Sequence, residues 1–459
     1  MSVVGPSLMD WPNKVRTAFP VVLGGIAIGA VSVPTLAART VVRASRGGGP
    51  RPTSVAGATV FVGGVIAAGR IARRRFIRKT RDAARLIDPG FVEAPTSELV
   101  STGPGSLVSA RDVGREGARY VGTATTSDDV SFVTGCDALA EPIRIFVGLD
   151  AASTVEARVE LAMAELRRTD AFDRSCLVVQ APAGTGYANA TPVDVVELLS
   201  RGDCASVAVG YGLLPSFLSL DRVEIARRTQ RALFEAVAAE CASRSRCPRV
   251  LLYGESLGAK VQQAALPGGI SDLDRFGIDA ALWVGTPGGQ DYDDAHRAFA
   301  SVAVTLDHPD QIAGVLTENP HPRVWFLEHD GDPVVRFRPD LAYQRPAWLD
   351  PAQGRGVPPT MSWRPGITWA QVLVDTVFAT DVTPGDFQSS GHDYRADLGA
   401  VATEAFGLAA PNGPEHPEWT PEWTERLEIR LRELEVRRAE RVGGSLGAQR
   451  REAPESASP

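Results

Sequence analysis

From residue 142 to about residue 330 the chain alternates short apolar runs with stretches of helical period, and few folds accept that pattern. The apolar runs are 143–149, 176–180, 205–209, 250–253, 280–284 and 324–327, and the helical stretches between them include 155–168, 193–200 and 222–242. A strand that is apolar at successive positions has to be covered on both faces. The pattern therefore predicts an α/β fold, a mainly parallel sheet flanked by helices. No internal repeat and no Walker, dinucleotide-binding or EF-hand fingerprint interrupts it.

One of these runs leads directly into chemistry. In Arg249 to Lys260, RVLLYGESLGAK, a strand enters Gly254-Glu255-Ser256-Leu257-Gly258 and a helical run follows. A G-x-S-x-G turn between strand and helix presents a serine hydroxyl on a sharp, crowded bend, and the glycines relieve the crowding. An unaided hydroxyl is a poor nucleophile, so the candidate nucleophile Ser256 needs a base and an acid that orients it. In this arrangement they follow in the order acid, then histidine.

The run 324–327 ends in Glu328-His329-Asp330-Gly331-Asp332-Pro333, which puts carboxylates at the end of a strand. Asp332 is the candidate acid and Asp330 the alternative, because one loop can turn either inward. Of the six histidines, only His329, His392 and His416 lie at or beyond this strand. His329 belongs to the acid segment and His416 to a Pro-rich tail, which leaves His392 in SSGHDY as the base. The bland reading of these Asp and His residues is that they are ordinary turn formers, and only their order speaks against it. Two backbone N–H groups should stabilise an oxyanion, one from Leu257 and one from the loop APAGTGY at 181–187, where Gly184 and Thr185 are the candidates. No Walker Lys-Ser/Thr pair follows this loop, which argues against a phosphate cradle.

The N-terminus has a different character. Residues 21–38 and 53–69 are apolar and uncharged, near the length of a membrane span, with small residues four apart at Gly25 and Gly29 and at Gly64 and Ala68. The basic cluster from Arg70 to Arg85 outweighs Arg39, Arg43, Arg46 and Arg51 in the loop between the two stretches. These features predict a transmembrane helical hairpin in the cell membrane, with N-terminus and catalytic domain cytoplasmic. The expected organisation is a membrane-anchoring region with two hydrophobic helices at 1–88, a linker and irregular lead-in at 89–141, a catalytic domain at 142–410, and an exposed charged helix with a disordered tail at 411–459. A Trp- and Pro-rich insertion at about 338–390, with Trp348, Trp363 and Trp369, reads as a cap over the substrate.

A net charge of −7 gives no nucleic-acid footprint. The five cysteines lack CxxC spacing, so free thiols are expected in a cytosolic domain, while Cys241 and Cys247 lie near enough to pair in an exported one. Neither a metal nor a cofactor is implied.

Together IRIFVGLD at 143–150, AGTGY at 183–187, GESLG at 254–258, HDGDPVV at 329–335 and GHDY at 391–394 resemble the bacterial membrane-anchored α/β-hydrolase family over about 116–408. The resemblance implies an α/β-hydrolase fold with Ser256, Asp332 and His392 as a catalytic triad. The family usually has more than the two spans read here. The expected activity is hydrolysis of a carboxylic ester, lipid esters included, with that substrate and the bilayer as partners. Acyl transfer by the same triad is the second enzymatic reading. A catalytically inactive membrane-bound scaffold is the third, and the intact order Ser, Asp, His argues against it.

Overall fold

The computed structural model describes residues 75, 78, 79, 82–213, 223–349, 354–379, 387–408 and 421–452. The chain divides into two compact units, Met1–Thr80 and Arg81–Pro459. In the first, only Arg75, Arg78 and Lys79 are described, each with helical backbone. Both stretches expected to form the membrane hairpin, 21–38 and 53–69, lie outside the described residues. Among the described residues no helix is long and apolar enough to cross a membrane.

In the second unit, strands β1 (Ile143–Val147), β2 (Cys176–Ala181), β3 (Cys204–Val209), β4 (Arg249–Glu255), β5 (Ile278–Val284), β6 (Ala303–Leu306) and β7 (Val324–Leu327) form one sheet. Their order is β1-β3-β2-β4-β5-β7-β6, and every pair is parallel. Strands β1, β2 and β3 are buried at every position, as strands apolar on both faces must be. The order also fixes where a site can form. The chain leaves β2 for β3 on one side and leaves β4 for β5 on the other, so a crevice opens at the carboxyl ends of β2 and β4.

Helices α1 (Ala110–Val121), α2 (Ser127–Thr134), α3 (Val155–Arg168), α4 (Thr191–Leu199), α5 (Val223–Ala242), α6 (Leu257–Ala265), α7 (Ile270–Phe276), α8 (Gln290–Phe299), α9 (Ile312–Glu318), α10 (Pro333–Arg336), α11 (Ile367–Phe378), α12 (Arg395–Ala405) and α13 (Pro421–Glu452) complete the unit. One layer runs through α3, α5, α6 and α8, which touch in series; another joins α2, α4, α12 and α13. Local signals start these helices where they start. The Thr154 hydroxyl accepts the Ala157 N–H at 3.1 Å to cap α3, while Glu156 opens that helix and Arg167 and Arg168 close it, matching the helix dipole. At the centre, Trp283 packs edge-on against Phe299 with ring centres 5.0 Å apart, and Phe326 lies 5.6 Å from the same indole.

The structure departs from the expectations in four places. Residues 89–141 are not an irregular linker: α1 and α2 lie there, and the buried Tyr120 hydroxyl donates to Ser206 on β3 at 2.9 Å. Their start signals, Ser109 with Asp112 and Thr126 with Asp129, are capping boxes at three-residue spacing. The charged C-terminal helix is not simply exposed. Leu427, Leu431 and Leu434 are buried, and Arg438 reaches Asp194 on α4, which also pairs with the buried Arg144 of β1. Strand β6 was not anticipated, because its four residues alternate outward and inward at the sheet edge and make no apolar run. Finally, Cys241 and Cys247 are joined in a disulfide, leaving Cys136, Cys176 and Cys204 free.

Candidate active site

The turn after β4 carries the first element. The Ser256 N–H donates to Val284 O at 2.8 Å, extending the β4–β5 ladder by one residue, and Ser256 O accepts the Lys260 N–H at 3.2 Å to begin α6. One residue thus ends a strand and starts a helix. It does so at φ 54, ψ −122, a conformation that costs a non-glycine residue roughly 1–3 kcal/mol. The glycines on either side are dictated by space. A Cβ at Gly254 would sit 2.8 Å from the Ala259 backbone, and one at Gly258 would sit 2.4 Å from Ala181 O, at the end of β2.

That approach of α6 to β2 brings the loop after β2 beside the turn. The hydrogen bonds closing the loop use the N–H groups of Ala183 (to Tyr187 O, 2.7 Å), Gly186 (to Ala183 O, 2.9 Å) and Tyr187 (to the Thr185 hydroxyl, 3.2 Å). Those of Gly184 and Thr185 take no part. Leu257 is the first residue of α6, where an N–H has no partner within the helix. Its side chain is buried with Tyr211, Ala226 and Val261.

Loop and turn are tied together by a carboxylate that the sequence reading did not single out. Glu255 Oε2 accepts from Asn189 Nδ2 and from the Tyr253 hydroxyl, each at 2.7 Å, and Gln180 Nε2 donates to Asn189 O at 2.8 Å. The only hint in the sequence was the position of Glu255 inside GESLG.

The candidate acid and base come from two distant segments. Asp332, fully buried beyond β7, accepts the Val334 N–H on Oδ1 at 2.8 Å. Its Oδ2 lies 2.6 Å from His392 Nδ1 and accepts the Tyr394 hydroxyl at 2.6 Å. Asp330 faces elsewhere: its carboxylate pairs with Arg336 at 2.5 Å and its N–H donates to Asp307 at 2.6 Å. Of the two candidate acids, the structure puts Asp332 against His392. His392 in turn lies over Gly285, where a Cβ would fall 2.8 Å from its Cε1. Gly285 follows Val284, the acceptor for the Ser256 N–H, so Ser256 and His392 flank the same end of β5.

Burial alone would push the pKa of His392 down. The Asp332 carboxylate, by charge and hydrogen bond, and then Glu255 and Asp393 overcome that, and the net shift is upward from the ordinary histidine value. A second buried histidine locks the loop that bears His392. His329 Nδ1 lies 2.9 Å from Gly391 O and its Nε2 lies 2.7 Å from Asp397 Oδ2, while its ring stacks on Tyr394 at 4.0 Å. Asp397 also accepts the Ser389 hydroxyl at 2.8 Å.

Among the described residues no group of His, Cys, Asp and Glu is arranged to hold a metal ion. The surface cavity of about 490 Å³ bounded by Thr125, Ser127, Glu141 and Arg441 contains none of the residues above and lies apart from them.

Two solved structures of acetyl xylan esterase are similar to part of the chain, at 17% and 18% identity with TM-scores of 0.24 and 0.23. Each likeness covers 35% of this chain and 85% of that one. Superposition this slight says nothing about substrate. No curated protein is similar enough in sequence to match. A profile of the alpha/beta-hydrolase family, however, matches residues 143–427, which take in the sheet, the strained serine turn and both loops of the acid and base. The chain belongs to the alpha/beta-hydrolase family.

Proposed function

We propose that the chain is a membrane-anchored serine hydrolase that cleaves carboxylic esters with an apolar acyl or alkyl group, lipid esters among them. The observation that carries this reading is the buried His392–Asp332 contact of 2.6 Å beside a serine held at φ 54. In this mechanism His392 Nε2 takes the Ser256 proton as Oγ attacks the ester carbonyl. Asp332 fixes the tautomer by holding the Nδ1 proton and stabilises the imidazolium that forms. The N–H groups of Leu257 and of Gly184 or Thr185 receive the oxyanion, and losing one such donor costs on the order of 10²–10³-fold in rate. His392 then protonates the leaving alcohol, and water, activated by the same imidazole, hydrolyses the acyl-Ser256 intermediate.

The test is hydrolysis of a p-nitrophenyl ester series by the full chain and by Ser256→Ala. Loss of turnover in a variant that keeps its circular dichroism spectrum supports the reading, and retained turnover overturns it.

The membrane part of the proposal rests on the apolar stretches 21–38 and 53–69, with the arginines that follow them favouring a cytoplasmic catalytic unit. The Cys241–Cys247 disulfide favours the opposite side, since such bonds persist in oxidising compartments. Protease treatment of intact spheroplasts separates the two orientations: digestion of the catalytic unit from outside excludes the cytoplasmic one. Recovery of the full chain only in the soluble fraction excludes the anchor.

A further inference from the structure

Asp332 Oδ2 serves two donors at the same distance, His392 Nδ1 and the Tyr394 hydroxyl, each at 2.6 Å. The direction of the tyrosine bond is forced. The Tyr394 oxygen also meets the His329 backbone N–H at 3.1 Å, a group that can only donate, so the oxygen accepts there and its single proton goes to Asp332. The phenol cannot swing away, because its ring is fully buried, stacked on His329 at 4.0 Å and edge-on to His392 at 5.8 Å.

Each donor to a carboxylate draws off part of its charge, and in a buried site that draw is felt strongly by the other donor. We propose that Tyr394 is a positioning residue: through the Asp332 oxygen it shares with His392, it aligns the imidazole and tempers its basicity. The inference rests on the triad reading above. The charged and titratable groups facing His392 are Asp332 from the loop after β7, Glu255 from the end of β4, and Asp393 in its own loop, where Arg395 pairs with that carboxylate at 2.8 Å. His329 stacks on the phenol ring of Tyr394. Of the donors to Asp332, the tyrosine hydroxyl is the one that competes with His392 for the same oxygen. Without it, Asp332 would hold the imidazolium more tightly, and a base that keeps its proton to higher pH is idle near neutrality.

The experiment is the pH dependence of the rate at which a fluorophosphonate labels Ser256 in the full chain, whose acid limb reports His392. Tyr394→Phe keeps the stacked ring and removes the proton, so the acid limb should move to higher pH by about half a unit or more. Replacement of Tyr394 by 3-fluorotyrosine, a stronger donor of nearly the same shape, should move the limb the other way. A merely structural tyrosine would slow labelling equally at all pH values and leave the limb in place. An unmoved limb in Tyr394→Phe overturns the inference, and if that variant does not fold, an unmoved limb in the fluorotyrosine protein does so. A wild-type chain that the probe fails to label at Ser256 overturns the functional reading and this inference with it. A labelled wild type whose limb ignores Tyr394 overturns this inference alone.

Discussion

The two halves of the candidate site are built in opposite ways. The serine half is one contiguous segment, β4, Ser256 and α6, in which backbone strain and two glycines forced by neighbouring backbone position the hydroxyl. The acid–base half joins side chains 60 residues apart, Asp332 and His392, and holds them with hydrogen bonds between two loops. Strain in a short turn is a local property and is written into five consecutive residues. A hydrogen-bonded clamp is a property of the fold, and its members look like ordinary turn residues until the fold brings them together.

That contrast can be broken most sharply on the acid–base side. Asp332→Asn should lower kcat by on the order of 10³–10⁴-fold, because the imidazole loses both its tautomer lock and its counter-charge. Asp330→Asn, on a carboxylate paired with Arg336, should leave kcat within a few-fold of wild type. Equal losses in the two variants would undo the assignment of the acid. The same pair fixes two pH dependences. Since folding raises the His392 pKa, the wild-type acid limb should lie above the ordinary histidine value and fall in Asp332→Asn. For stability, a group whose folded pKa is raised contributes fully below its unfolded pKa and loses that contribution as pH rises through the folded one. Thermal melts should therefore show Asp332→Asn more destabilising at about pH 5 than at about pH 9.

The serine half should respond with a smaller loss and without a pH signature. In Gly258→Ala the new methyl meets Ala181 O, a backbone atom that cannot rotate away, so α6 has to shift. Overpacking of this kind costs about 1–3 kcal/mol in urea unfolding, and the displaced Leu257 N–H should cut kcat more than it raises KM. A variant with wild-type stability and kcat would show that the turn tolerates a side chain there.

The same distinction explains what the sequence made legible. The strand–turn–helix around Ser256, six of the seven strands of the sheet and the order of acid and histidine are legible, because periodicity and glycine placement record local geometry. The choice between Asp330 and Asp332 is not, since the two flank Gly331, either suits a turn there, and only the fold shows which faces His392. Nor are the supporting contacts of Tyr394, His329, Asp397 and Glu255, which span loops or sheet ends with no periodic signal. The charges of helix α13 outnumber its leucines and suggest an exposed helix, although Leu427, Leu431 and Leu434 recur at helical spacing and are buried. The capping boxes ahead of α1 and α2 are local signals as well, three-residue patterns inside a stretch whose composition reads as a linker.

The most direct test of the central claim is to map the adduct of a fluorophosphonate probe by peptide mass spectrometry in the wild type, in Asp332→Asn and in His392→Ala. The expected result is a single adduct on Ser256 in the wild type that is nearly lost in both variants. An adduct on another residue, or labelling of Ser256 that persists undiminished without His392, would contradict the account.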